Sequence, residues 1–299
     1  MSLPRIDTVV TYPDGDLTST GAVVHVEPLP DGRAAVLLDR TAFHPVDPVW
    51  PDQPADVGTL FVDGRSYAVV DAVVGATDGT VLHVGDAPVR TGTEGWAFVV
   101  CHLVEDAGGI EPGAAAVVRV EPERRRALSA GHTACHLASL ALNEALSGLW
   151  TKDVPVDARG RPNFDQLAIV SSRILEGGSV DEYRIGKSLR KKGFAAADLA
   201  GLREEASAAV DRTLAAWIGG GADVSIVRDP GALGLGDRRR WRAELPGGAV
   251  EIPCGGTHLR SLTELSGADV RLELAETEGA LALTMRTTAH LARPAAHLA

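Results

Sequence analysis

The amino-acid sequence predicts an α+β protein in which a small N-terminal β-barrel domain is followed by a two-layer α/β domain. Residues 1–105 consist of short runs of β-branched and aromatic residues separated by Asp-Gly and Pro-Asp-Gly turns, a pattern typical of small barrels and sandwiches. A Pro/Gly-rich stretch follows at 108–113, and beyond it helical and strand-like segments are mixed. We therefore expect one domain over residues 1–110 and a second over residues 111–299.

Six strands are predicted in the first domain. Each is rich in Val, Thr or aromatic residues and is bounded by Gly, Asp or Pro, which favour turns. They are Ala22–Glu27, Arg33–Asp39, Thr59–Asp63, Arg65–Val70, Val81–Val84 and Trp96–Cys101. The Asp63-Gly64 pair between two of them is a hairpin signal.

Two long helices are predicted in the second domain. Ser129 is a candidate N-cap of a helix reaching about Leu146, with Gly148 as its stop. Residues 196–218 form the second helix, which a Gly-rich run ends. Predicted strands are Val117–Val120, Val224–Val227, Trp241–Leu245, Val270–Leu274 and Leu281–Thr287. Residues 165–175 and 181–192 fit either element.

The net charge of −11 belongs to the first domain. Residues 1–110 hold 16 Asp and Glu against 5 Arg, a net of −11, and the remaining 24 acidic residues are balanced by 24 basic ones. A negative average argues against a nucleic-acid partner. Because the second domain is neutral, that argument applies only to the first.

Several classes of protein are excluded. No run approaches the roughly 20 apolar residues that a membrane span needs, and the first residues lack the order of a signal peptide, so we expect a cytoplasmic protein with no membrane partner. The three cysteines, Cys101, Cys135 and Cys254, are too few and scattered for a disulfide framework. A cysteine with a special role is therefore expected to be a metal ligand or a nucleophile.

Two short motifs contain metal-ligating residues. His132 and His136 lie one turn apart in the predicted helix, and Cys254-Gly-Gly-Thr-His258 contains two glycines that permit a tight turn. Three imidazoles and a thiolate suit a tetrahedral Zn²⁺. Buried, hydrogen-bonded core residues remain an alternative explanation, as does a structural zinc whose four protein ligands close the site.

Two further motifs lie in the first domain, Leu38-Asp-Arg-Thr41-Ala-Phe-His-Pro and Gln53-Pro-x-Asp56-x-Gly. Together with the His and Cys motifs, they resemble the alanyl-tRNA editing family, the freestanding relatives of the editing domain of alanyl-tRNA synthetase. The resemblance covers nearly the whole chain.

This resemblance implies a β-barrel domain, an α/β editing core and hydrolysis of the ester that joins a wrong amino acid to tRNA. It implies one Zn²⁺ per chain, and the acceptor end of an aminoacyl-tRNA as partner. The implied metal ligands are His132, His136, Cys254 and His258.

Two roles for the zinc remain open, namely lowering the pKa of a bound water or binding the substrate's amino group so that the ester is oriented. The candidate donors to the carbonyl oxygen are the backbone N–H groups of Gly255, Gly256 and Thr257, with the Thr257 hydroxyl. Thr41, Trp50 and Gln53 are expected to contact the substrate. Thr41 is otherwise a strand-surface hydroxyl, and Trp50 a solvent-shielding loop residue.

The chain departs from the family at residues 46–52. The family carries a Gly-rich loop here, whereas this chain has Trp50, two prolines (Pro48 and Pro51) and no glycine. We expect a stiffer, reshaped pocket wall. The edited amino acid then need not be serine or alanine, and the chain is also similar to the branch that hydrolyses fluorothreonyl-tRNA.

Clusters of basic residues are candidate contacts for tRNA phosphates. The residues expected to bind tRNA are Arg124, Arg125, Arg126, Lys187, Arg190, Lys191 and Lys192; a further arginine run lies at 238–242. A solvated surface is the preferred explanation of any single cluster, but the proximity of the clusters to both zinc motifs in the sequence favours tRNA binding by the group.

Three functional hypotheses therefore stand. The first is a trans-editing aminoacyl-tRNA deacylase, the second a tRNA-binding protein with a purely structural zinc, and the third a zinc hydrolase of a small ester or amide.

Overall fold

The computed structural model describes residues 3–277 and 279–293, which form a mixed α+β fold. The chain divides into two compact units. The first comprises the residues up to Arg126 together with Ile226–Arg240 and Pro253–Thr257, and the second comprises Ala127–Ser225, Trp241–Ile252 and the residues from His258 onward. The predicted domain division at residue 110 stays a prediction.

Nine strands precede the first helix. They are β1 (Val9–Val10), β2 (Thr18–Pro28), β3 (Ala34–Leu38), β4 (Arg40–Thr41), β5 (Gly58–Val62), β6 (Arg65–Thr77), β7 (Leu82–Val84), β8 (Ala97–Val104) and β9 (Ala115–Val120). All six strands predicted before residue 105 fall within this set. Val117–Val120, which the sequence assigned to the second domain, is part of β9.

Seven of these strands form one sheet in the order β5-β9-β2-β3-β8-β6-β7. β5 also pairs with β6, antiparallel, from Gly58 opposite Val69 to Val62 opposite Arg65. A closed barrel stays a prediction. The apolar core packed by these strands includes Leu60, Phe98 and Val118, all buried.

Four helices and seven strands complete the fold. They are α1 (Pro122–Ala145), α2 (Phe164–Ala168), β10 (Ile169–Leu175), β11 (Gly178–Ile185), α3 (Lys187–Lys191), α4 (Ala196–Gly219), β12 (Val224–Arg228), β13 (Arg239–Leu245), β14 (Gly248–Pro253), β15 (Leu265–Thr277) and β16 (Ala280–Leu291). One sheet has the order β10-β11-β16-β15 and another the order β12-β13-β14. Among the described residues, no helix has the combination of length and hydrophobicity that a membrane span needs.

The predicted start of the first long helix was wrong, whereas its predicted end near Leu146 is confirmed. α1 begins at Pro122, whose fixed φ suits the first position of a helix, and Glu123 lies in its first turn. Ser129 is therefore a buried interior residue rather than an N-cap. The helix ends at Ala145, and Gly148 lies in a short 3-10 turn, Ser147–Leu149.

Helix α1 packs very closely against the turn between β10 and β11. A Cβ atom placed on Gly131 would lie 2.4 Å from the carbonyl oxygens of both Leu175 and Gly178. The turn is also tied to the helix by a hydrogen bond from the Gly177 N–H to the Ala127 carbonyl, 3.0 Å. Only glycine permits this approach, and it lies next to His132 in the sequence.

We predict that Gly131→Ala lowers the free energy of unfolding by at least about 1–3 kcal/mol, because the added methyl group meets backbone atoms that cannot rotate away. Urea unfolding measures the change. Gly201→Ala is the matched control, since Gly201 is exposed in α4 and an added Cβ meets nothing within 4 Å. The control substitution should stabilise the protein slightly, because alanine has a higher helix propensity than glycine. Equal effects of the two substitutions would contradict the steric argument.

Candidate metal centre

Three histidine rings converge beside α1. His132 and His136 lie one turn apart on that helix, with ring centroids 4.8 Å apart, and the ring of His258 lies 4.4 Å from His132 and 5.1 Å from His136. His132 is buried, and the other two rings are mostly shielded from solvent. The predicted i, i+4 placement is therefore confirmed by the geometry.

Cys254 completes a set of four possible ligands. The ligand atoms of His132, His136, Cys254 and His258 all lie within 4.8 Å of one another. Such a group of imidazoles and a thiol could hold one metal ion.

The protonation and hydrogen bonding of these side chains are compatible with metal binding. Nε2 of His136 is buried without a hydrogen-bond partner, and burial lowers the pKa of His136 to about 4, so the ring is neutral at pH 7, as metal ligation requires. Burial also raises the pKa of the Cys254 thiol to about 12. A cation is therefore needed to displace its proton, and the Gly256 N–H, 3.4 Å from Cys254 Sγ, favours the resulting thiolate.

Thr133 fixes the third histidine. Its Oγ1 lies 3.3 Å from His258 Nδ1 and accepts a hydrogen bond from the Leu259 N–H at 3.1 Å. A histidine whose Nδ1 is held in this way presents Nε2 to a metal. Thr133, which lies next to His132 in the sequence, thus positions His258, a candidate ligand that is remote in sequence.

Trp241 is a neighbour that the sequence did not indicate as part of the site. Its fully buried ring lies 5.0 Å from that of His136 and 6.1 Å from that of His258. Its indole Nε1–H is buried without a partner among the described residues. The alternation of apolar and polar residues along β13 indicates that Trp241, Ala243 and Leu245 face inward, but it does not indicate that Trp241 lies beside His136.

The loop that carries Cys254 is held by a two-pronged contact from Gln53. Gln53 Nε2 donates to Thr257 Oγ1 at 2.8 Å, and the Thr257 N–H donates to Gln53 Oε1 at 2.9 Å. Both residues are almost fully buried. Gln53 thus supports the loop directly.

The predicted oxyanion donors have acceptors within the protein. The Thr257 N–H is directed at Gln53, and the Gly256 N–H is directed at Cys254 Sγ. Their role as donors to a substrate oxygen stays a prediction. Gly255 remains exposed, and an added Cβ there meets no atom within 4 Å.

Tyr12 and Arg239 hold the same loop. The sequence did not indicate Tyr12, and it indicated Arg239 only as part of an arginine run that is a candidate contact for tRNA phosphates. The Tyr12 hydroxyl donates to the Gly255 carbonyl at 3.0 Å, and the Cys254 N–H donates to the Arg239 carbonyl at 3.1 Å. The Arg239 guanidinium lies over the Tyr12 ring, 5.4 Å from its centroid. No local sequence signal identifies this pair, because its members are more than 200 residues apart.

Thr41 and Trp50 have different environments. Thr41 is fully buried, and its Oγ1 lies 2.8 Å from His102 Nε2, so it is a core hydroxyl rather than the strand-surface group weighed as the alternative. Trp50 is 46% exposed and hydrogen-bonds the Asp52 carboxylate. Burial raises the pKa of Asp52 to about 6.

The arginines before the zinc motif are not equivalent. Arg125 is buried and ion-paired with Asp56, with Nε 2.8 Å from Oδ1, and it also donates to the Ala42 carbonyl at 2.7 Å. The structure thus gives Arg125 a role inside the fold, where its guanidinium does not reach a phosphate. Arg124 and Arg126 are half-buried, whereas Lys187, Arg190, Lys191 and Lys192 are exposed.

Known proteins with similar sequences are alanine–tRNA ligases. The chain is 31% identical over 163 residues to that of Parafrankia sp. (strain EAN1pec), which is 54% of this chain and 15% of the relative. It is 29% identical over 140 residues to that of Nocardioides sp. (strain ATCC BAA-499 / JS614), 47% of this chain and 13% of the relative. It is 35% identical over 118 residues to that of Halobacterium salinarum, 39% of this chain and 10% of the relative. No protein-family model matches the chain.

The similarity thus covers about half of this chain but only 10–15% of the length of these relatives. The chain shares a region with alanine–tRNA ligases, consistent with a protein similar to their editing domain. These relatives support no particular branch, including the fluorothreonyl-tRNA branch.

We predict that the protein binds one zinc ion per chain and that His136→Ala lowers its zinc affinity at least about 100-fold, because one of four ligands is lost. Metal analysis after dialysis against a chelator of known affinity measures this. His290→Ala is the control, since His290 is an exposed histidine paired with Asp269. Equal zinc content in both variants would rule out the proposed ligand set.

We also predict that Gln53→Ala weakens zinc binding by about 10–100-fold and lowers stability by about 1–3 kcal/mol, because the Thr257 N–H loses its acceptor. Chelator competition and urea unfolding measure the two effects. Gln53→Glu, which retains an acceptor for that N–H, should lose less than the alanine variant. Gln166→Ala, at an exposed glutamine, should change neither quantity.

Proposed function

We propose that the protein is a zinc-dependent aminoacyl-tRNA deacylase that acts in trans, hydrolysing the ester between tRNA and a wrong or non-standard amino acid. The observation that carries the proposal is the convergence of His132, His136, Cys254 and His258. The region shared with alanine–tRNA ligases supports tRNA as the partner.

Zinc suits this donor set because it accepts both imidazole and thiolate ligands. When bound, it would supply Lewis-acid chemistry at the ester and its attacking water. His132, His136 and His258 would hold it as neutral ligands, and Cys254 would supply the one negative charge.

The protein's own groups then orient the ester. The Trp241 indole Nε1–H, buried beside His136 and without a protein partner among the described residues, is a donor for an oxygen atom that develops negative charge. Its ring also keeps bulk water from one side of the imidazoles. On the Cys254 side, the uncrowded backbone of Gly255 allows a substrate to approach closely.

Selectivity for the amino acid is assigned to the loop 46–52. Trp50 is fixed to Asp52, and Asp52 is followed by Gln53, which is clamped to Thr257. The loop is therefore tied to the segment that carries Cys254. A pocket wall that only adds or removes room for one methyl-sized group discriminates between two amino acids by about 1–3 kcal/mol. Serine, alanine and threonine analogues such as fluorothreonine therefore all remain candidate acyl groups.

The four-ligand set also favours a second function, a tRNA-binding protein in which zinc is purely structural. Four protein ligands close a tetrahedral site, whereas catalytic zinc sites keep a position for water or substrate. The two functions differ in what the loss of one ligand does, because a structural zinc supports the fold itself.

The test is a deacylation panel with tRNAs charged with alanine, serine, threonine and fluorothreonine. We expect release of at least one amino acid, and we expect His132→Ala to slow it at least about 100-fold. His290→Ala is the control. Circular dichroism and urea unfolding of the same variants accompany the assay.

Each outcome decides between the hypotheses. Loss of deacylation in a folded His132→Ala protein supports the deacylase. Unfolding of that variant, with no deacylation by the wild type, supports the structural zinc. Hydrolysis of small amino-acid esters without any hydrolysis of charged tRNA would support a small-molecule hydrolase instead.

A further inference from the structure

All four lysines of the chain lie at one place in the second unit. Only 4 of the 29 Lys and Arg residues in the full sequence are lysines, namely Lys152, Lys187, Lys191 and Lys192. Three are on or directly after α3. Lys152 joins them because its Nζ donates to the Lys191 carbonyl at 3.0 Å, and the preceding Thr151 N–H donates to the Gly193 carbonyl at 2.9 Å. We call these four residues the lysine surface.

The lysine surface is exposed and rich in positive charge. All four lysines are exposed, and within residues 3–277 and 279–293 none of them forms an ion pair. Residues 183–197 contain no Asp or Glu. Arg184 and Arg190 in the same stretch are also exposed, and Arg190 donates only to the Gly279 carbonyl, at 3.2 Å.

The two arginine clusters of the chain are used differently. Arg125 is buried against Asp56. Arg242 is ion-paired with Glu244 and Glu251, and Arg239 lies over the Tyr12 ring. These guanidiniums have partners within the protein, whereas among the described residues the lysine surface has no ion pair and only Lys152 donates, to a backbone carbonyl.

We propose that the lysine surface binds the phosphate backbone of an RNA, independently of base sequence. This rests on the proposed function in one respect, namely that the RNA is the tRNA whose ester is hydrolysed. Lysine ammonium groups are point charges on flexible chains, and they contact phosphates without the fixed bidentate geometry of arginine. A cluster of lysines can therefore contact the phosphates of an RNA backbone without requiring one fixed alignment of the RNA on the protein.

The lysine surface shares no residue with the metal cluster, and we expect it to make RNA binding strongly dependent on salt. Each neutralised phosphate releases counterions, so log affinity falls with log salt, and each contact makes this slope steeper by roughly 0.7–0.9. Removing four cations should therefore reduce that slope by roughly 3, with the largest loss of affinity at low salt.

The experiment measures binding of an uncharged RNA hairpin with a single-stranded 3′ end to the full chain, at several salt concentrations. The test variant carries Lys152→Gln, Lys187→Gln, Lys191→Gln and Lys192→Gln. We expect it to bind at least about 10-fold more weakly than the wild type at low salt, with a smaller salt slope. A variant with all four lysines changed to arginine should retain binding, because the charge is kept.

A matched control removes the same charge elsewhere. It carries Arg65→Gln, Arg90→Gln, Arg212→Gln and Arg271→Gln, all at exposed positions. An equal loss in this control, or wild-type affinity in the lysine-to-glutamine variant, would overturn the proposal. Because the hairpin carries no amino acid, the experiment measures RNA binding separately from deacylation. If the protein deacylates tRNA but does not need these lysines to bind RNA, only this inference is wrong. If it binds RNA through these lysines but does not deacylate tRNA, only the proposed function is wrong.

Discussion

The burial of helix α1 is the constraint on which the rest of the site depends. The helix has almost no exposed side, and its small residues let neighbouring backbone come within contact distance, most closely at Gly131. Close packing on nearly all sides opposes rotation or translation of the helix. Two imidazoles one turn apart on it are therefore fixed before any ion is bound, and the cost of arranging them is met by apolar packing.

The other two ligands are positioned by polar contacts rather than by packing. Between Pro253 and His258 the chain has no regular secondary structure, so its backbone groups need partners from outside the segment. Gln53, Tyr12 and the Arg239 backbone supply them. The centre thus combines a rigid half with a half that depends on a few hydrogen bonds, and we expect the second half to respond first to substitution.

The sequence predicted what depends on local periodicity and motif chemistry. The strands of the first sheet, helix α4 and the four candidate ligands could be found because side-chain period, turn residues and His/Cys spacing are local signals. The roles of Thr41, Arg125 and the Thr257 N–H could not, because each is set by a partner far along the chain: His102, Asp56 and Gln53 respectively. Trp241 escaped notice for the same reason, since its place beside His136 follows from packing and not from spacing.

The loop from Asp47 to Asp52 lies between two fixed points. Val46 is tied to β6 by hydrogen bonds with the Ala72 carbonyl and the Val74 N–H, and Gln53 is clamped to Thr257. Val49 and Trp50, in the middle, are exposed. Val49 and Trp50 can therefore be replaced without touching either anchor. Under the proposed function, such a loop is a separable module through which lineages can change the recognised acyl group while the metal ligands are inherited unaltered.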